Sequence, residues 1–313
     1  MSREASIRAH VRSLEVLSQA VLAMKSLSAH HFRVARDALA SAREYRTELE
    51  AAVSCLATVH LGSGSGSARL LVIGADLGLC AQYHGRIVAA ARETALSLGV
   101  QTADCIGRRT AALLARAGIA VRVRYAAPTS VEKVTSVLLD VVTDLFADYR
   151  LGRVGSVHVL SARFGGIGEF EPVRTPLLPL ADLPDGGPPP SRYVSEQHLL
   201  EIAARERLFV HLEELLLDAM ASEHGMRLVA TNAAGDWLDE QLERGRRRLH
   251  ALRREASTQE ILELVAGARA RRRAMRQRAS RSRNRWTRRE SLSSGSRAPA
   301  RRPRARRAGR PRN

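Results

Sequence analysis

The sequence predicts an α+α/β protein: a long antiparallel two-helix coiled coil made by the N- and C-terminal helices, with a Rossmann-like α/β domain inserted between them. Three observations carry this. Residues 3–60 show a heptad stripe, and residues 69–180 alternate strand-like and helix-like segments. From Ser191 through Gly295 there is no proline, and Ala, Leu, Glu and Arg dominate; these are strong helix formers. At about 1.5 Å per residue, Tyr193–Ala270 would span roughly 110 Å as one helix. A globular domain of this size does not need a rod of that length, whereas a shaft does.

The first helix occupies residues 1–61. One heptad row is Ile7, Leu14, Val21, Ser28, Ala35, Ala42, Leu49 and Leu56; its companion is His10, Leu17, Met24, His31, Ala38, Tyr45, Ala52 and Val59. Together they make a 3-4 seam with a thin, small-residue middle. His10 and His31 have no partner in the sequence pattern and read as seam or edge residues. Residues 62–68 form a Gly/Ser linker. A phosphate-binding loop is excluded there, because no strand precedes it and no Lys or Thr follows in place.

The α/β domain covers residues 69–180. Strands are expected at Arg69–Ile73, Gln101–Ile106, Ile119–Tyr125, Ser156–Ser161 and Phe170–Leu178, and helices at Gly85–Leu98, Arg108–Ala117 and Thr129–Tyr149. This order implies a mainly parallel sheet. The dinucleotide fingerprint is absent: Gly74-Ala-Asp-Leu-Gly78 follows the first strand, not GxGxxG. Asp76 and Asp104 read as cap or turn residues rather than acid–base groups. A Pro/Gly loop at 181–192 releases the chain into the second long helix, 193–270. There Leu208, Leu212, Leu215 and Ala219 keep 3-4 spacing, as do Leu238, Leu242, Gly245, Leu249, Leu252 and Ala256. A slip of register is expected between Ala233 and Leu238, at Gly235.

The formal charge is +18. Residues 268–313 hold 19 Arg and one acid, Glu290, so the other 267 residues are neutral overall. The excess belongs to an Arg-rich tail, 271–313, expected to be disordered on composition. That tail is the one candidate for nucleic-acid contact; a solvated extension and a reading-frame run-on are its alternatives. Cys55, Cys80 and Cys105 have no zinc spacing and read as free thiols in a reducing compartment. No signal peptide and no membrane span is predicted. No Ser/His/Asp set, HExxH or spaced carboxylate pair occurs, so no catalytic residue, metal or cofactor is assigned.

Particular motifs carry a resemblance. Thr258-x-Glu260-x-x-Glu263-x-x-x-Gly267-Ala268-x-Ala270 resembles the C-terminal signature of F-type ATP synthase gamma subunits. Ser222-Glu223, Arg227, Ala230 and Ala233-Ala234 are similar to conserved-type positions upstream of it, and so are Ile7-Arg8, Ala23-Met24-Lys25, Asp76-Leu77-Gly78-Leu79-Cys80, Phe164 and Thr175–Leu180 elsewhere. Departures include Leu77 and Ala81, where the family has Arg and Gly, Ser257, His250, and Arg254 in place of a neutral amide. They mark a divergent member, of the kind expected in an alternative ATPase operon.

The resemblance implies a central-stalk rotor without catalytic residues of its own, coupling ion translocation to ATP synthesis or hydrolysis. It implies alpha and beta subunits around the shaft, an epsilon subunit and a c-ring at its foot, and a peripheral location on the cytoplasmic face of the bacterial inner membrane. It assigns rotor–stator contact to Met24, Lys25, Arg227, Arg253, Arg254, Thr258, Glu260 and Glu263. The Ala-rich faces at Ala35/Ala38/Ala42 and Ala230/Ala233/Ala234 then fit either a slippery bearing or close helix contact. A coiled-coil adaptor or nucleic-acid binder acting through the tail is the competing reading.

Overall fold

The computed structural model describes residues 3–54, 66–179 and 196–293. Helix α1 is Arg3–Ser54 and helix α5 Glu196–Ser293. Between them lie β1 (Ser67–Ile73), α2 (Tyr83–Leu98), β2 (Thr102–Ile106), α3 (Arg108–Arg116), β3 (Ala120–Tyr125), α4 (Val134–Arg150, after a 3-10 turn), β4 (Val154–Gly166) and β5 (Glu169–Leu178). The described residues fall into two compact units, those within 9–244, and residues 3–8 with 245–293.

Within residues 9–244 the five strands form one sheet in the order β3-β2-β1-β4-β5. The first four pair in parallel and β5 runs antiparallel to β4. Leu70, Leu71, Val72 and Ile73 of β1 are all buried, as a central parallel strand covered on both faces requires. The expected strand opens two residues earlier than its apolar run, because Ser67 and Ala68 already pair with β4. Those two positions therefore leave the linker, whose earlier residues lie outside the described ones.

Helices α1 and α5 run antiparallel through this unit. The His31 and His224 rings lie 5.1 Å apart, Arg43 meets Glu214 at 3.0 Å, and His211 meets Glu50 at 2.9 Å. The buried stripe on α1 is Val11, Leu14, Ser28, Ala35, Leu39 and Ala42. This keeps the row that starts at Ile7 and corrects part of its companion: Val11 and Leu39, four residues on, are buried, while Met24, His31 and Ala38 of the expected row are half-buried. Leu17 and Tyr45 of the expected row are 53% and 47% exposed, and His10 is exposed. Ranking by apolarity selects Leu17 and Tyr45 over Ser18 and Arg46, yet the neighbouring helix covers the latter side. Ala35 and Ala42 are buried, so this small-residue run serves close helix contact. On α5 Ala233 is exposed and Ala230 and Ala234 half-buried.

Helix α5 passes the expected slip at Gly235 without interruption. Its eight residues Leu216–Glu223 are all buried, a pattern no two-helix seam produces. They are enclosed by several elements: α1 through Arg43, α2 through the Tyr83 hydroxyl donating to Ala219 O, and β4 through Phe164 N donating to Asp218.

In the smaller unit Leu249 is buried, and Arg253 pairs with Glu4, which also holds Arg8. The expectation of disorder is corrected for residues 271–293, which continue α5. Arg, Ala and Gln are good helix formers, and the next proline is Pro299. Residues 294–313 lie outside the described ones.

Candidate functional site

Residues 74–82 leave β1 and form the loop that fastens α5 to the sheet. Asp76 closes one end: its carboxylate accepts from Arg108 N at 2.6 Å and Arg108 Nε at 2.7 Å. It thereby caps the N-terminus of α3, where backbone N–H groups lack partners. His84, at the start of α2, holds the other end, with Nε2 2.9 Å from Leu77 O and Nδ1 3.1 Å from Thr110 Oγ1.

Into this loop reaches Arg227 of α5, a side chain only 2% exposed. Its Nε donates to Gly78 O at 3.1 Å and its Nη2 to Leu77 O at 3.4 Å. The Nη2 also pairs with Glu223, one turn back on α5. Its Nη1 lies 3.1 Å from His224 Nδ1, which must accept and therefore carries no proton. Burial holds the Glu223 carboxyl above its ordinary range, with Arg227 opposing. Burial first, then Arg227 and His31, push His224 down to about 3. Burial also lowers His84.

The sign of the pH dependence follows. A histidine depressed in the fold contributes stability that is complete above its unfolded value near 6.5 and is lost as pH falls below it. Glu223, raised in the fold, works in the opposite sense, losing its contribution as pH rises. Comparing the wild type with His224→Gln, whose amide oxygen still accepts from Arg227, cancels the Glu223 part. Between pH 7 and pH 5 the wild type is expected to lose about 2 kcal/mol more than the variant. Urea unfolding at each pH measures this, and parallel losses would refute it.

Two further loop residues, Leu79 and Ala81, have φ of 55° and 46°. An alanine in the left-handed region costs about 1 kcal/mol that glycine avoids. Ala81→Gly should therefore raise stability by about 0.5 kcal/mol after the entropy of the freer unfolded chain is subtracted. A thermal midpoint unchanged or lowered would contradict it.

Doubly wound sheets bind ligands at the carboxyl ends of the strands where their order reverses, here between β1 and β4. In this chain that crevice is taken up by α5: Arg227 meets the loop after β1, and Asp218 meets β4. Asp76 is a cap, as expected. Asp104 is not; it lies within β2, 1% exposed, and accepts from Arg122 at 2.9 and 2.6 Å and from Val123 N at 3.2 Å. Cys80 and Cys105 are buried free thiols, pushed by burial to about 11 and about 12. Cys55 lies outside the described residues. Among the described residues no group of His, Cys, Asp and Glu is arranged to hold a metal, and no helix is long and apolar enough to cross a membrane.

The eight expected contact residues divide. Arg227, expected at a contact surface, is instead buried against the carbonyls of Leu77 and Gly78 and the Glu223 carboxylate of its own chain. Met24 is half-buried and Lys25 exposed on α1. Arg253, Arg254, Thr258, Glu260 and Glu263 are exposed in the smaller unit. There Thr258 Oγ1 donates to Arg254 O at 2.8 Å, and Gln259 donates to Glu263 at 3.2 Å. Glu223, His224 and His84, which hold this junction together, are not among the eight expected residues. The four-residue spacing of Glu223 and Arg227 was the available signal, since an i,i+4 acid–base pair shares a helix face. His31 also has a partner the sequence pattern did not show, His224.

A shaft of two antiparallel helices, with an α/β domain clamped onto the longer one, defines a stalk protein whose ligand crevice is given over to holding the shaft. The family profile described as ATP synthase matches residues 4–270, and the chain belongs to that family, as a gamma-type chain. The ATP synthase gamma chain of Pelotomaculum thermopropionicum is 27% identical over 84% of this chain and 97% of its own length. That of Caulobacter sp. is also 27% identical, over 84% and 98%. The fold is shared with the rotor of the Euglena gracilis mitochondrial ATP synthase, with a TM-score of 0.55, 12% identity, and 80% of this chain and 98% of that one covered. It is likewise shared with the central stalk of the Tetrahymena thermophila enzyme, with a TM-score of 0.52, 16% identity, and 69% and 99% covered.

Proposed function

We propose that this chain is the rotor shaft through which ion flow across a membrane is coupled to ATP synthesis or hydrolysis. The family match over residues 4–270 carries the reading. In it the shaft turns inside a ring of alpha and beta subunits, which supply the catalytic residues. An epsilon subunit and a c-ring hold its foot, and the complex lies on the cytoplasmic face of the inner membrane. The chain itself contributes no catalytic group.

The enclosed segment Leu216–Glu223 supports a mechanical role. A helix buried on every side cannot roll against the α/β domain, so torque applied to the domain passes to the shaft through close-packed side chains. Lys25, Arg254, Thr258, Glu260 and Glu263 are the exposed candidates for contact with the surrounding ring, with Met24 half-buried beside Lys25. Arg253 is engaged with Glu4, so Arg254 is the stronger candidate of that pair.

The test is the double variant Arg253→Ala/Arg254→Ala in the assembled complex in membrane vesicles. ATP-driven ion pumping is expected to fall several-fold relative to ATP hydrolysis, while the circular dichroism of the isolated chain is unchanged. Arg254→Ala alone should account for most of the loss. Unchanged coupling in the double variant would remove both arginines from the contact set.

A further inference from the structure

The family match ends at Ala270, but α5 continues to Ser293. Residues 271–293 hold ten arginines and a single acid, Glu290. Arg271, Arg272, Arg273, Arg276 and Arg278 are all exposed, and Met275 is 71% exposed. At about 100° per residue these five arginines are spread around the helix rather than gathered on one stripe. Arg272 and Arg276 are like charges at i,i+4, and Arg273 and Arg276 at i,i+3, spacings that weaken a helix in isolation. A partner that places negative charge on more than one side removes that repulsion.

This distribution selects among anionic partners. A bilayer surface meets a helix from one side only, and insertion into it needs an apolar face, which the ring of charge does not leave. An acidic protein surface meets a helix from one side and leaves the remaining guanidiniums unmatched. The major groove of a duplex is about 12 Å wide, admits a helix, and carries phosphates along both walls. Guanidinium binds phosphate in bidentate fashion.

We propose that residues 271–293 form a docking helix for duplex nucleic acid, bound through its phosphates and without sequence preference. At about 1.5 Å per residue the segment is roughly 35 Å long, close to one duplex turn. The proposal is independent of the rotor function, which rests on residues before 271.

The test is fluorescence anisotropy of a labelled mixed-sequence DNA duplex of about 24 base pairs with the full-length chain, across a sodium chloride series. The comparison protein is R271Q/R272Q/R273Q/R276Q/R278Q, in which Gln preserves helix propensity. These positions lie outside the core, so an unchanged urea midpoint will confirm that the variant folds. The expected result is micromolar binding at 150 mM salt, with log affinity falling steeply against log salt. The variant should bind at least tenfold more weakly, with a salt slope flatter by about 4. No binding at 150 mM, or equal binding by the variant, overturns the proposal. Displacement of the duplex by polyglutamate at equal charge concentration also overturns it, in favour of an acidic protein partner.

Discussion

Replacing Arg227 by alanine is expected to lower the stability of the isolated chain by about 3–5 kcal/mol, the usual cost of stripping one partner from a buried ion pair. The reason lies in what stays behind. Glu223 would remain about nine-tenths buried without its partner, and the carbonyls of Leu77 and Gly78 would lose their guanidinium donors. An unsatisfied buried acceptor costs about 1–3 kcal/mol, and an unpaired buried charge costs more. Removing both charges in Glu223→Leu/Arg227→Leu should recover at least half of that loss, because apolar groups of similar volume often replace a buried pair at little cost. Urea unfolding of the three proteins measures both effects. A change of less than about 1 kcal/mol in Arg227→Ala would mean that α5 is held by its apolar contacts alone, and that the loop carbonyls are satisfied some other way.

Gly107→Ala should be strongly destabilising, because a strained dihedral and a backbone clash coincide there. Gly107 sits between β2 and α3 at φ +112°, and a Cβ there would lie 2.6 Å from Ala75 N and 2.9 Å from Gly74 C. Both are backbone atoms at the end of the central strand, so relief requires moving β1 itself. The expected loss is at least about 3 kcal/mol, combining an unfavourable dihedral with overpacking. Gly118→Ala separates the two contributions. Its φ is +86°, but nothing lies within 4 Å of the added carbon, so only the conformational cost of about 1 kcal/mol applies. Equal losses at the two positions would show that backbone strain, not the approach of β1 to β2, governs Gly107.

The α/β domain was the most legible part of the sequence. Runs such as Arg69-Leu-Leu-Val-Ile73 bury every side chain from Leu70 on, and a strand with both faces covered has no alternation to misread. The two long helices were legible as helices, but not in the side they present. Leu17 and Ser18 differ by 100° around α1, and apolarity favours the wrong one because the true seam tolerates small and charged residues. Arg227 was misplaced for a related reason. An arginine on a helix ordinarily reads as solvent-exposed, and its partners include carbonyls about 150 residues away in sequence. For residues 271–293 composition reports the lack of a core, not the local preference of Arg and Ala for helix.

The burial of Leu216–Glu223 on every side also bears on how the chain is made. Leu178 ends the sheet, and Arg227 follows roughly fifty residues later, so at about 5–20 residues per second several seconds of synthesis separate the two. During that interval the faces of α1, α2 and β4 that receive α5 have emerged without their occupant. A nascent chain stalled near residue 200 would display that apolar trough to solvent, a ready target for chaperones and for self-association. Premature termination between Leu178 and Arg227 should therefore yield aggregates rather than a smaller folded domain, even though every strand of the sheet is already present.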